Sequence, residues 1–186
     1  SAIELLDDPN APAEDQKNLL NQIDGACHQL GSQLAALGDA AKARETRYLG
    51  QSKLKDLLPQ LGAGHPAVAL SIEGGDVTIP LAREGLALIL GQFLQNSAQH
   101  GAENVMLSAS QTAETTTLTI SDDGPGISAG NVDRLFDPYF TTRREDGGTG
   151  MGLAIVRNVM AAHRGSVRFV PGTAGACFEL IILSRD

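Results

Sequence analysis

The sequence predicts an α+β fold: a two-layer α/β sandwich whose mixed, largely antiparallel sheet carries helices on one face, preceded by a helical segment. Three observations predict it. Short apolar–polar alternations recur after about residue 62, two stretches among them keep a helical period, and the residues before 62 carry a seven-residue apolar repeat. The domain reading follows, with a helical hairpin and connecting helix over 1–61 and a catalytic-type domain over 62–186.

The elements follow in order. Ser1-Ala2 is no initiator Met, and Ile3-Glu4-Leu5-Leu6 opens in mid-pattern, so the chain reads as a fragment. Asp7-Asp8-Pro9-Asn10-Ala11-Pro12 breaks any helix and reads as a turn. Leu20, Ile23, Cys27, Leu30, Leu34, Leu37 and Ala41 then alternate spacings of three and four over residues 13 to about 47. Two readings stand, a single amphipathic helix on a core or one helix of a dimeric bundle; the narrow 3.5-residue period favours the bundle. Leu54, Leu57, Leu58 and Leu61 mark a short helix ended by Gly62-Ala63-Gly64-His65-Pro66. Strands are expected at 68–72, 105–110, 116–121, 167–170 and 178–183, with a further short one at 77–79. Helices are expected from about Leu81 to His100 and from Gly150 to about His163.

Composition narrows the class. Of 186 residues 42% are hydrophobic but only 4% aromatic, with no Trp, so the core is aliphatic. A net charge of -8 repels nucleic-acid backbones, which argues against DNA or RNA as partner. Cys27 and Cys177 stand far apart in apolar contexts and read as buried free thiols, in keeping with a reducing compartment. No apolar run reaches the roughly 20 residues of a membrane helix, so a cytoplasmic location is expected, with any membrane attachment in segments outside this chain.

Three motifs carry the chemistry. On the helix ending near His100, Gln92, Asn96, Gln99 and His100 share an arc of about 100° opposite Leu86, Leu90, Phe93, Leu94 and Ser97. That polar face has amides and an imidazole but no Lys or Glu, which suits a hydrated cation better than bulk solvent. An Asn carbonyl can ligate Mg²⁺ without adding negative charge beside phosphates. Asp122 closes a strand, and Gly124 and Gly126 follow it, letting a flat ligand approach. A carboxylate only accepts hydrogen bonds, so it reads the amino group of adenine and rejects the guanine carbonyl. Gly148, Thr149, Gly150 and Gly152 open a helix, where free N–H groups and the dipole favour phosphate. The polar stretch between Phe136 and Gly148 reads as a lid, from which Arg143 or Arg144 reaches the phosphates.

With these motifs in order, residues from about 66 to 184 resemble the ATP-binding catalytic domain of sensor histidine kinases, in the gyrase–Hsp90–kinase–MutL ATPase superfamily. The resemblance implies the Bergerat-type α/β sandwich, its mixed sheet covered by three helices. It implies Asn96 as Mg²⁺ ligand and, with Gln92 and Arg143, as a catalytic residue. It implies nucleotide contacts from Gln99, His100, Asp122, Gly124, Gly126 and Ile127. Phe136, Tyr139, Thr141, Thr142 and Arg143 join them from the lid, and Gly148, Thr149, Gly150, Met151, Gly152 and Leu153 from the glycine loop. ATP and Mg²⁺ are the implied cofactors. A homodimer through the N-terminal helices and a response-regulator receiver domain are the implied partners.

The chain departs from that pattern at several points. Gln92 stands where kinases of the family carry Asn and its hydrolases a catalytic Glu; an amide is no general base. Gln99 replaces a phosphate-binding Lys, and Ala176 stands in place of a Thr near adenine. None of His28, His65, His100 and His163 has the acidic neighbour and following Pro of an acceptor histidine. The acceptor is therefore expected upstream of residue 1, leaving this chain unable to autophosphorylate alone. Two other readings are an anti-sigma-type serine kinase, resembled by Asn96-Ser97-Ala98-Gln99-His100-Gly101, and a degenerate nucleotide-binding module without kinase activity.

Overall fold

The computed structural model describes residues 48–144, 148–172 and 174–184, with helical Glu14, Lys17, Asn18, Asn21 and Gly38 before them. The heptad seam, the turn at 7–12, Cys27 and His28 lie outside the described residues or rest on residues outside them. In chain order come α1 (Leu54–Gly64), β1 (Ala69–Glu73), α2 (Arg83–Gln99), β2 (Asn104–Gln111) and β3 (Thr115–Asp122). A 3-10 helix (Ala129–Arg134), α3 (Gly152–Ala162), β4 (Gly165–Phe169) and β5 (Cys177–Leu183) complete it. Among the described residues no helix is long and apolar enough to cross a membrane.

The five strands form one mixed sheet in the order β1-β2-β3-β5-β4. β1 and β2 run parallel because α2 carries the chain back between them; the other pairs are antiparallel. The expected strand at 77–79 is a correction. Ile79 makes only an isolated antiparallel bridge with Ser52, since the segment exchanges its main-chain bonds (3.0 and 2.8 Å) with one residue and then turns into α2.

Strand periodicity decides which side chains meet the helices. Thr116, Leu118 and Ile120 are buried on one face of β3, as are Val105 and Leu107 on β2 and Phe178, Leu180 and Ile182 on β5. From the other layer, α2 presents Leu86, Ile89, Leu90, Phe93 and Leu94, and α3 presents Ile155, Val156, Val159 and Met160. Each such side chain contributes about 1.5–3 kcal/mol by burial. Leu54, Leu57 and Leu61 of α1 join the same core, and residue 62 lies inside that helix.

Three of the other four phenylalanines converge on Phe178. Phe93 packs at 4.9 Å between centroids, Phe169 at 5.7 Å and Phe136 at 6.3 Å, the last two edge-on. The far end of α3 is fastened to the segment that enters the domain. The Tyr48 amide donates to His163 Nε2 at 3.0 Å and its ring stacks on the imidazole.

The turn into β2 is held by Asp123, whose carboxylate accepts the Glu103 and Asn104 amides, each at 2.9 Å, and the Asn104 side chain at 2.7 Å. The Asn104 side-chain amide, then its main-chain N–H, holds this carboxyl below its ordinary value of 3.8. A depressed folded value means the unfolded chain binds the proton more readily. Asp123 therefore stabilises the fold above about pH 3.8, and that contribution is lost as pH falls through the lower folded value. Asp123→Asn is expected to flatten the acid side of a stability–pH curve measured by urea unfolding. An unchanged acid slope in the variant excludes this role.

Candidate functional site

The same periodicity that buries Leu118 and Ile120 sets Asp122, two residues on, facing the helix layer where the sheet ends. Its main-chain N–H donates to Ala176 O at 2.9 Å. Its carboxylate is gripped on three sides. Oδ1 accepts the Gly124 amide at 3.1 Å and the Ala176 amide at 2.9 Å, and Oδ2 accepts the Ser97 hydroxyl at 2.7 Å. Gly175 lies so close that a Cβ there would run into the Asp122 carbonyl, so the two backbones pack directly.

Asp122 opens onto a cavity of about 680 Å³ between α2, the Pro125–Ser128 turn, the lid and the start of α3. This size is in the range of small-molecule sites. α2 contributes Gln92, Gln95, Asn96, Gln99 and His100, its whole expected polar face together with Gln95. The lid contributes Phe140, Thr141, Thr142 and Arg143; the glycine loop contributes Gly148, Thr149, Gly150, Gly152 and Leu153. Gly126, Ile127 and Ala176 line the base-side wall. Glu145, Asp146 and Gly147 of the expected lid lie outside the described residues.

Four of the residues singled out from the sequence do not line the cavity. Phe136 packs edge-on against Phe178, and Met151 is buried in the core at 5% exposure. Tyr139 is 49% exposed with φ 66°. Gly124 acts on the carboxylate of Asp122 through its amide. Of the two candidate arginines, Arg143 lines the cavity, whereas Arg144 donates to the Tyr139 carbonyl at 3.1 Å. Gln95, Pro125, Ser128, Asn131, Leu135 and Phe140 line it without having been singled out. Gln95 lies one residue before Asn96 and follows from the same helical arc; Asn131 and Leu135 come from the 3-10 turn, which carries no periodic signal. Ser97 was assigned to the apolar side of α2, and it is buried there, but its hydroxyl serves the site.

The glycine loop is shaped by contact with the lid root. Gly150 has φ +68°, and a Cβ on it would stand 2.7 Å from Phe140 O and 2.5 Å from the Tyr139 carbonyl carbon. Thr149 Oγ1 accepts the Met151 amide at 3.3 Å, and the first turn of α3 points its unpaired N–H groups and positive dipole end toward the cavity. A Cβ on Gly152 would sit 2.8 Å from Gln92 Oε1, so a side chain there would make the Gln92 amide shift. Among the described lining residues the donor set carries one permanent cation, Arg143. The candidate metal-facing atom, the Asn96 carbonyl, is neutral. Among the described residues no group of three His, Cys, Asp or Glu forms a metal cluster. Such a site fits a hydrated Mg²⁺ that shares phosphate oxygens. Cys177 is buried beside the site and unpaired by any disulfide; burial, with Glu179 and Asp122 nearby, pushes its thiol up and leaves it unreactive.

A sheet layered with helices, a carboxylate at a strand end, an amide-lined helix face and a glycine loop at a helix start define a nucleotide-binding ATPase fold. The profile of the family described as histidine kinase-, DNA gyrase B-, and HSP90-like ATPase matches residues 82–185. That is more than half the chain, and the chain belongs to this family. The sensor histidine kinase ZraS of Escherichia coli (strain K12) is 39% identical over 75 residues, covering 40% of this chain and 15% of ZraS. The sensor protein kinase PilS of Pseudomonas aeruginosa is 33% identical over 119 residues, covering 60% of this chain and 22% of PilS. The chain thus spans less than a quarter of the length of these relatives. The solved Acinetobacter baumannii histidine kinase AdeS superposes with a TM-score of 0.66 at 20% identity over 99% of this chain and 90% of that one, a likeness of fold.

Gly150→Ala places a side chain in left-handed backbone and against the lid root together. It is expected to destabilise the chain by about 1–3 kcal/mol in denaturant unfolding. Wild-type stability in the variant excludes the close approach of these backbones.

Proposed function

We propose that this chain is the ATP-binding catalytic part of a two-component sensor histidine kinase. It moves the γ-phosphoryl of ATP to a histidine on a dimerisation helix upstream of residue 1, and from there the group passes to an Asp of a response-regulator receiver domain. The observation that carries the reading is the convergence of Asn96, Asp122, Arg143 and the Gly148–Gly152 loop on one cavity. The names of ZraS and PilS support it, as does the fold shared with full-length ShkA in complex with AMPPNP, at TM-score 0.69 and 23% identity.

Roles follow from position. Asp122 accepts the adenine amino group. The amides of the α3 first turn hold phosphate oxygens, with Thr141, Thr142 and Thr149 as hydroxyl donors. Arg143 neutralises charge on the transferred group. Asn96 holds Mg²⁺, which when bound screens the phosphates and orients them for in-line transfer. Gln92 lacks the basicity to activate water, so the site favours transfer to a protein nucleophile over ATP hydrolysis. The helices before residue 48 make the homodimer in this reading, with 1–61 the hairpin and connecting helix and 62–186 the catalytic domain.

The test is transfer of label from γ-labelled ATP to a separately supplied helical hairpin bearing the upstream histidine. Label on that histidine is expected, with the 186-residue chain alone unlabelled. Label on serine, or none despite Mg²⁺-dependent ATP binding, overturns the kinase reading in favour of a serine kinase or a non-catalytic module. In binding assays Asn96→Ala is expected to abolish most of the gain in ATP affinity that Mg²⁺ confers, while metal-free affinity changes less than about threefold. If the Mg²⁺ gain survives intact, the metal ligand is another residue.

A further inference from the structure

Among the described residues the Ser97 hydroxyl is the one side-chain hydrogen-bond donor to the Asp122 carboxylate, and it comes from α2 rather than from the glycine turn or the start of β5. Ser97 is only 4% exposed and sits between Leu94 and the end of the helix. A buried mid-helix serine ordinarily turns its hydroxyl back on the carbonyl four residues earlier. Here it reaches across the layer to Asp122 Oδ2 at 2.7 Å, in the range of a charge-assisted bond. On the opposite wall Ala176 has only its main-chain amide to offer, 2.9 Å from Oδ1.

A carboxylate has about four acceptor directions. Two on Oδ1 are filled by Gly124 and Ala176, and one on Oδ2 by Ser97. One acceptor direction on Oδ2 is left for a ligand. The Ser97 hydroxyl is committed as a donor to Asp122, so it does not offer its hydrogen to a purine carbonyl.

We propose that Ser97 is a positioning residue that sets base selectivity: by donating to Oδ2 it holds the Asp122 carboxylate with a single outward acceptor, which accepts a 6-aminopurine and refuses a 6-oxopurine. This rests on Asp122 as the base-reading group. Without the Ser97 donor, Oδ2 has two open directions. Water then fills one and can donate to a 6-oxo group, so discrimination falls as well as affinity.

The experiment is a double-mutant cycle on the 186-residue chain, with MgATP and MgGTP affinities read by calorimetry. Ser97→Ala is expected to lower ATP affinity about three- to tenfold, to lower GTP affinity less, and so to narrow the ATP/GTP ratio. In the Asp122→Asn background the same change is expected to add less than about twofold. Ser97→Cys, close in volume and a weak donor, is expected to fall between, and guards against a packing defect in the alanine variant. Equal losses for ATP and GTP, or full additivity with Asp122→Asn, overturn the proposal and leave Ser97 a packing residue. If Asp122→Asn itself binds ATP as wild type does, the base-reading role of Asp122 falls first.

Discussion

The Asp122 carboxylate ties together the strand end, the turn and the helix that form one wall of the site. It stands at the end of β3, bonds the first residues before β5 through Ala176, fixes the turn through Gly124 and reaches α2 through Ser97. The sheet and the helix layer are hydrogen-bonded to each other at this group, and each bond runs to a partly buried carboxylate oxygen. Such bonds are worth about 1.5–3 kcal/mol apiece, roughly twice a neutral one. The carboxylate is therefore a structural clamp before any ligand arrives, and its outward lone pair is aimed by the fold.

The glycines around the cavity express the same closeness in the backbone. At Gly175 the main chain of one strand end lies on the carbonyl of Asp122, and at Gly150 the glycine loop lies on the root of the lid. Both are places where main chain touches main chain, so a side chain on either residue must push the walls apart. Gly152 differs, because what it spares is the side chain of Gln92. A shape made by backbone contact is stiff, and stiffness suits a site that must hold phosphates at fixed distance from amides.

Much of this was legible in the sequence because it rests on short-range periodicity. The alternation at Thr116, Leu118 and Ile120 gave β3 its inner face, and extending it by two placed Asp122. The 100° arc on α2 gathered Gln92, Asn96, Gln99 and His100, all of which line the cavity. Three features were not legible, for identifiable reasons. The Ser97 bond is long-range, and a serine on an apolar arc gives no sign of its partner 25 residues away. The motif around Phe136 and Tyr139 suggested ligand contact, but aromatic side chains are scarce here and Phe136 is drawn into the cluster on Phe178. The segment at 77–79 alternates like a strand yet exchanges main-chain bonds with Ser52 alone before the chain turns into α2.

One helix links the cavity to the entry of the chain. α3 starts at Gly152, in the glycine loop, and ends at Ala162, about 16 Å away at 1.5 Å per residue. At its far end His163 accepts the Tyr48 amide, and Tyr48 in turn accepts the Ala82 amide at 3.0 Å just before α2. Gly85 makes room for the Tyr48 side chain, since a Cβ there would stand 2.6 Å from it. The segment that enters the domain at Tyr48 is thus seated on one end of each helix that frames the cavity. Leu86, Ile89, Leu90 and Phe93 of α2 and Ile155, Val156 and Val159 of α3 then lie in one close-packed core. A core of that density does not deform smoothly. Displacing the chain at Tyr48 must break the His163 bond or shift both helices, and the atoms at their other ends are Asn96, Ser97 and the amides of the glycine loop.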